Sequence, residues 1–282
     1  MQKICDLHTH SNCSDGSLSP EELAAAAKAA GLSAIALTDH NTVKGLAAFL
    51  KAGDLLGLET IAGCEFSTDY GRREQHIVGL FLPREAWDDI EAFVLPMRGS
   101  KHQSNLELIA RLHDAGYDIT YEDAAAYTEA EEINRSHVAR ALLAKGYVRS
   151  VRDAFERLLD RNAGFYQPPA RLDAFETIRF IKRIGGTAVL AHPLRKLDVD
   201  ALRVFLPQAK ENGLDAMETH YGDYTAEETQ CMTDLAAEFD LLSSGGSDFH
   251  GASKPHIALG RGTGRMLVPY AFCEALRARA NR

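Results

Sequence analysis

Six histidines, two aspartates and a glutamate recur in this sequence at positions that suit metal ions. His8 and His10 close the apolar run "ICDLHTH". On a strand, residues i and i+2 share a face, so two imidazoles can address one ion, while Cys5, of opposite parity, is expected to point away. Asp15 follows in the next loop. "ALTDH" ends in His40, "AGCEF" carries Glu65, "VLAHP" carries His192, and "SSGGSDFH" carries Asp248 and His250. Apolar strands thus keep terminating in nitrogen or oxygen donors, at the edge where β/α barrels assemble their sites. His76 instead begins a strand; a hairpin turning near Tyr70-Gly71 sets it roughly opposite Glu65. Nine such donors suit two or three ions of the zinc, manganese or iron type. Thiolate ligation is open only to Cys13, because Cys64 faces away from Glu65.

Three divalent ions would bring six positive charges, and Asp15, Glu65 and Asp248 would cancel only three. Such a site attracts a phosphate dianion. Paired ions also lower the pKa of a bridging water towards ~7 and clamp an in-line displacement. The expected chemistry is phosphoester hydrolysis by metal hydroxide, without a covalent enzyme intermediate. Glu65, Asp248, His192 and Asp15 are the expected catalytic group. P-loop, Cys-x5-Arg and Asp-x-Asp nucleophile motifs are absent, and "GRGTGR" at 260–265 reads as a turn.

These donors need a frame. β-rich runs ("KICDLH", "SAIALTDH", "LETIAGCEF", "QHIVGLFL", "TAVLAH", "DAMETH", "LLSSGGSDF") alternate with helical patterns. One helix is expected over "SPEELAAAAKAAG", capped by Ser19, a second over "TVKGLAAFLKAGDLLG", and others near 172–185, 198–211 and 225–238. That rhythm predicts an α/β fold with parallel units. Residues 1–97 and 169–282 are expected to form the barrel, and the helix-rich 98–168 a helical insertion. The 282 residues carry a net charge of −9, which argues against coating DNA or an anionic membrane. No 18-residue apolar run and no signal-peptide core occurs, and the five cysteines lack CxxC spacing, so a reducing cytoplasmic setting is expected. No protein partner is evident.

In order, HxH, "TDH", a strand-end Glu, "AHP" and "GSDFH" resemble the PHP (polymerase and histidinol phosphatase) superfamily over about residues 3–85 and 170–260. The resemblance implies a distorted seven-stranded β/α barrel. It also implies a first ion on His8, His10, Glu65 and Asp248, and a second on Glu65, His76 and His192. The third would lie on Asp15, His40 and His250. Manganese is the expected metal, with zinc or iron as alternatives. Several branches carry histidine where this chain has Asp15.

The segment 133–161 holds seven Lys/Arg against three Asp/Glu, +4 in a chain of −9. Within it "NRSH" (Asn134, Arg135, Ser136, His137) reads as a helix start capped by Ser136, a natural anion site. The branch this chain looks most like binds a phosphate remote from its metals at an R-x-H helix start, which implies that role for Arg135 and His137. "RGSKHQSN" at 98–105 offers a comparable turn with Lys101 and His102. His220, ending "DAMETH", is expected on the barrel edge as an outer partner, a substrate contact or a packing residue.

The reading that follows is a phosphatase removing the 3′-phosphate of a nucleoside 3′,5′-bisphosphate. Its alternatives are a 5′-to-3′ exoribonuclease on short RNA, a histidinol-phosphate-type phosphatase and a non-catalytic metal module. The insertion's extra anion site disfavours a substrate with one phosphate.

Overall fold

The computed structural model describes residues 3–71, 73–128 and 132–280. The short apolar runs become strands wherever turn residues bound them, and the described strands join in one sheet. They are β1 (Ile4–Asp6), β2 (Ala34–Leu37), β3 (Glu59–Tyr70), β4 (Arg73–Leu80), β5 (Leu172–Asp173), β6 (Thr187–Ala191), β7 (Ala216–Tyr221), β8 (Leu242–Gly246) and β9 (Val268–Pro269). The order is β8-β7-β6-β4-β3-β2-β1-β9, with β5 on β3. Leu7 N–H donates to the Gly245 carbonyl (3.1 Å) and Thr9 bridges Phe249, so β1 returns to β8 and nearly closes the ring. Nine strands are described where the family resemblance implied seven; β5 and β9 are two residues each, and the α/β barrel class is the one expected.

β1–β2–β3 and β6–β7–β8 run parallel, whereas β4 is antiparallel to both neighbours. That reversal has a consequence for chemistry. The start of β4 lies beside the carboxyl ends of the parallel strands, so His76 reaches the same edge.

Alternation divides each strand between two apolar layers. Ile35, Leu37, Phe66 and Met217 face outward and pack with Phe49, Phe180 and Phe205. Small and branched residues fill the inside: Ala34, Ala36, Ile61, Val78, Leu80, Val189, Ala191 and Ala216. The inner faces turn polar towards one edge, from Ile61 to Glu65 on β3, Val78 to His76 on β4, and Ala216 to Glu218 on β7. Cys5 and Leu7 belong to the inner layer too. The expectation that Cys5 points away from His8 is therefore corrected: β1 ends at Asp6, and strict alternation ends with it.

Ser19 caps the helix Pro20–Ala29 in a capping box with Glu22. The next helix, Leu46–Leu56, starts later than its apolar pattern suggests. Glu91 accepts from Thr42 Oγ1 (3.1 Å) and Val43 N–H (2.8 Å) and holds that turn outside the helix. The helices Ala174–Arg183, Val199–Glu211 and Ala226–Glu238 fall where periodicity puts them.

The chain divides into two compact units, Met1–Val94 with Leu172–Arg282, and Leu95–Arg171. The second has its own core, including Leu108, Leu112, Ile119, Val138, Leu142 and Leu158. Among the described residues no helix is long and apolar enough to cross a membrane.

Candidate metal centre

Two buried aspartates set the loops that carry the first donors. Asp6 accepts from the Ser247 N–H (2.8 Å) and hydroxyl (2.6 Å) and from Gly260 N–H (2.8 Å), tying the end of β1 to the exit of β8. Asp39 accepts from Ser11 N–H (2.8 Å) and from the Ser11 and Ser14 hydroxyls (2.6 Å each), fixing the loop to Asp15. Burial pushes both carboxyls above their ordinary range against these donors.

All nine sequence-predicted donors meet at one barrel edge. Glu65 stands at the centre. Its Oε1 lies 2.7 Å from His76 Nδ1 and 2.9 Å from His192 Nε2. Its Oε2 lies 3.0 Å from His8 Nε2 and 3.2 Å from both His10 Nε2 and His40 Nδ1. Asp248 Oδ1 lies 3.2 Å from His10 Nε2 and 3.4 Å from His250 Nδ1. Asp15 Oδ1 lies 3.2 Å from His250 Nε2, and Asp15 Oδ2 3.9 Å from His40 Nε2. The hairpin register pairs Ser67 with His76 and Glu65 with Val78. Glu65 and His76 are therefore diagonal neighbours on one face rather than directly opposite, and still touch.

Three overlapping groups bring ligand atoms within 4.8 Å of one another: His8/His10/Glu65/Asp248, His10/Asp15/His40/His250 and His40/Glu65/His76. The first is the implied first-ion set. The second adds His10 to the implied third set. The third places His40 with Glu65 and His76, and His192 borders it through its contact with Glu65. Cys13 is half-buried and enters none of them.

The donors fit metal ions better than they fit one another. His10 Nδ1, His40 Nδ1, Glu65 Oε2 and His192 Nδ1 are buried without a hydrogen-bond partner. Three ring nitrogens surround Glu65 Oε2 closely, yet none meets hydrogen-bond geometry. The Nε2 atoms of His8 and His10 face each other at 3.1 Å. A polar atom buried without a partner costs about 1–3 kcal/mol, and a cation on these lone pairs removes the conflict.

Without ions, protons are shared unevenly. Burial alone would raise the Glu65 carboxyl, but His40, His8 and His76 hold it well below its ordinary range. Burial would depress His10 and His76, yet hydrogen bonds and charges from Asp248, Glu65 and Glu74 push both up to about 9. His40 goes the other way, to about 3, because burial outweighs Glu65 and Asp15.

Two outer carboxylates escape a reading based on strand ends. Glu218 lies 2.8 Å from His8 Nδ1 and accepts the His192 N–H at 2.6 Å. Glu74 lies 2.9 Å from His76 Nε2. Carboxylates on the second nitrogen of a ligating histidine fix its tautomer and direction. Each is two residues from a singled-out histidine, His220 and His76, and that spacing was the available signal. His220 itself does not join the cluster. The register shifts between Glu218 and His220, and the His220 ring lies edge-on to Phe272 at 5.3 Å.

The second unit also changes the assignments. Asn134, not Ser136, caps the helix Arg135–Ala144: its side-chain oxygen accepts from Ser136 and His137 N–H, while His137 Nδ1 accepts from Asn134 N–H. An amide oxygen one residue before the helix reaches those donors, whereas Ser136 is already inside the first turn. Residues 98–105 form no turn. They lie within the helix Trp87–Asp114, whose periodic hydrogen bonds override local Gly and Ser signals. On it, His102 pairs with Glu132 (2.9 Å) and meets the Tyr121 ring, and Lys101 is exposed.

A nearly closed β/α ring that gathers six histidines and three carboxylates at one edge defines a metal-centre barrel hydrolase. The chain belongs to the PHP domain family, which it matches over residues 6–166, and is a metal-dependent phosphoesterase. It is 35% identical over 251 residues to a 5′-3′ exoribonuclease of Haemophilus influenzae (89% of this chain, 91% of that protein). It is 32% identical over 260 residues to a phosphoribosyl 1,2-cyclic phosphate 1,2-diphosphodiesterase of Eggerthella lenta (90% and 97%). A 3′,5′-nucleoside bisphosphate phosphatase of Chromobacterium violaceum is 30% identical over 247 residues (87% and 86%). A solved structure described as an amidohydrolase from the same organism, with bound sulfate and no metal, superposes with a TM-score of 0.83 at 28% identity (99% and 98%).

Proposed function

We propose that this phosphoesterase removes the 3′-phosphate of nucleoside 3′,5′-bisphosphates, leaving the 5′-nucleotide and orthophosphate. The reacting phosphate sits at the nine-donor cluster, which takes two to three divalent ions, manganese foremost. Bound there, such ions supply Lewis-acid activation of phosphate and water. The chain's own residues do the rest. Glu65 joins the ligand groups, Glu218 and Glu74 aim His8 and His76, and Asp39 keeps Asp15 in place.

The observation that carries the bisphosphate assignment is Arg135. Its guanidinium donates to the Leu159 carbonyl (3.0 Å) and lies over the Tyr166 ring (4.2 Å to the centroid) and the Phe155 ring (5.5 Å). Among the described residues no carboxylate neutralises it. A cation braced by rings, with no described carboxylate paired to it, suits a second, non-reacting phosphate. His137, on the same helix start, belongs to this second site.

Arg135→Ala is expected to lower kcat/KM for a 3′,5′-bisphosphate by roughly 10–200-fold. A simple aryl phosphate should lose far less; equal losses would place Arg135 in folding or at the reacting phosphate. A second reading, trimming of short 5′-phosphorylated RNA, is favoured by the Haemophilus relative and would use the same contact. Comparing a 3′,5′-bisphosphate, a 2′,5′-bisphosphate, a 5′-monophosphate, a ribose 1,2-cyclic phosphate and a 5′-phosphorylated trinucleotide at equal concentration decides. Faster turnover of the trinucleotide replaces the phosphatase reading, and faster turnover of the cyclic ester replaces both.

A further inference from the structure

Two cations stand at the barrel edge without a part in the ligand set. Lys254 follows the short turn Gly251–Ser253, directly after His250. Its Nζ lies 2.7 Å from Asp248 Oδ2, the oxygen turned away from the histidines. Arg195 ends the turn Pro193–Arg195, directly after His192. Its Nη2 pairs with Asp223 at 2.8 Å, and its guanidinium lies 5.7 Å from the centroid of the Tyr221 ring. The Tyr221 hydroxyl in turn donates to the same Asp248 Oδ2 at 2.7 Å. One carboxylate oxygen therefore marks where Lys254 and the Arg195–Tyr221 pair converge, one carboxylate's width from the cluster.

We propose that Lys254 and Arg195 grip the phosphate that reacts at this cluster. Exposure separates them from the ligands they follow. The Arg195 and Lys254 side chains are 52% and 36% exposed, while those of His192 and His250 are 8% and 4%. Both cations thus keep a solvent-facing side, which the histidines they follow do not. Lys254 has three N–H donors and, among the described residues, one acceptor. Arg195 presents a planar fork suited to two phosphate oxygens, and Asp223 and the Tyr221 ring hold it in place. Ligation through Asp248 Oδ1 draws that carboxylate's charge towards the ions and leaves Lys254 less compensated, so a phosphate oxygen is its natural next partner. This assignment rests on the phosphoesterase activity and not on the bisphosphate reading, because it concerns only the reacting phosphate.

The test uses the metal-loaded full chain with Lys254→Met, Lys254→Arg and Arg195→Met. Four quantities are measured: ion content, affinity for inorganic phosphate by calorimetry, and kcat and KM for an aryl phosphate. Lys254→Met and Arg195→Met should each weaken phosphate binding roughly 10- to 100-fold and raise KM in step. Ion content should stay at the wild-type level, and Lys254→Arg should restore most of the affinity. Unchanged phosphate affinity in both Met variants overturns the proposal. So does loss of ions from Lys254→Met, which would make Lys254 a positioning residue for Asp248. Arg195, more than half exposed, keeps the test open should Lys254→Met fold poorly. Failure of the bisphosphate reading would leave these aryl phosphate results untouched.

Discussion

At the scale of single residues, the centre depends on carboxylates that answer histidines. Glu65 touches five imidazoles, and no other side chain in the cluster meets so many. Glu65→Ala should therefore cost more than the roughly 10- to 100-fold typical of an outer partner, with ion content falling alongside kcat/KM. Glu218 is such an outer partner. Glu218→Ala leaves His8 Nδ1 and the His192 N–H without their acceptor, and ion affinity should drop about 10- to 100-fold with the fold intact. Competition with a metallochromic chelator measures both. A Glu218→Ala protein that binds ions like the parent would show that His8 needs no outer anchor.

At the scale of elements, the seam between β1 and β8 decides where His8 and Asp248 stand. Gly246 ends β8 against His8: a Cβ there would lie 2.3 Å from His8 Cβ and 2.5 Å from His8 N. Backbone and ligand cannot both give way without opening the ring. Gly246→Ala should destabilise by about 1–3 kcal/mol, the usual cost of overpacking, and should also depress activity. Gly99 offers the contrast. It lies within the helix Trp87–Asp114, and nothing described comes within 4 Å of its added Cβ. Gly99→Ala should stabilise by about 0.5–1 kcal/mol and leave turnover alone. Urea titrations of the two variants check both signs.

At the scale of the whole molecule, metal bound at the cluster would tie together donors that come from different strands and loops. Metal removal should abolish activity and lower Tm by on the order of 5–10 °C for each ion that is present at about a thousand times its Kd. The metal-free protein should also respond to alkali. His10 and His76 stand at about 9 in the fold against an ordinary 6.5, so their contribution is full below 6.5 and is lost as pH rises through 9. His40, lowered to about 3, opposes this only below 6.5. The depressed carboxylates Glu65, Asp15 and Asp248 lose their contribution only in acid, also outside the window. Metal-free Tm should thus fall between pH 6.5 and 9, while the loaded protein, whose ligands carry no proton to lose, holds steady. Scanning fluorimetry with and without chelator reads the difference; parallel curves would contradict it.

The sequence by itself determined what is local. Apolar runs ending in His, Asp or Glu, the Ser19 capping box and the helical stripes at 174–183, 199–211 and 226–238 follow from side-chain types and their periods. Those forces act over a few residues, so they can be read from a few residues. Tertiary structure decided whatever depends on distant partners. The antiparallel placement of β4 brings His76 to the carboxyl edge of strands that run the other way. A register shift in β7 turns Glu218 towards His8 and His220 towards Phe272. Asn134 takes the cap that Ser136 was expected to hold, and one long helix absorbs the turn expected at 98–105. Strand register and ring closure are set by hydrogen bonds between residues far apart in the chain, such as Leu7 with Gly245. No short window of sequence contains both ends of such a bond.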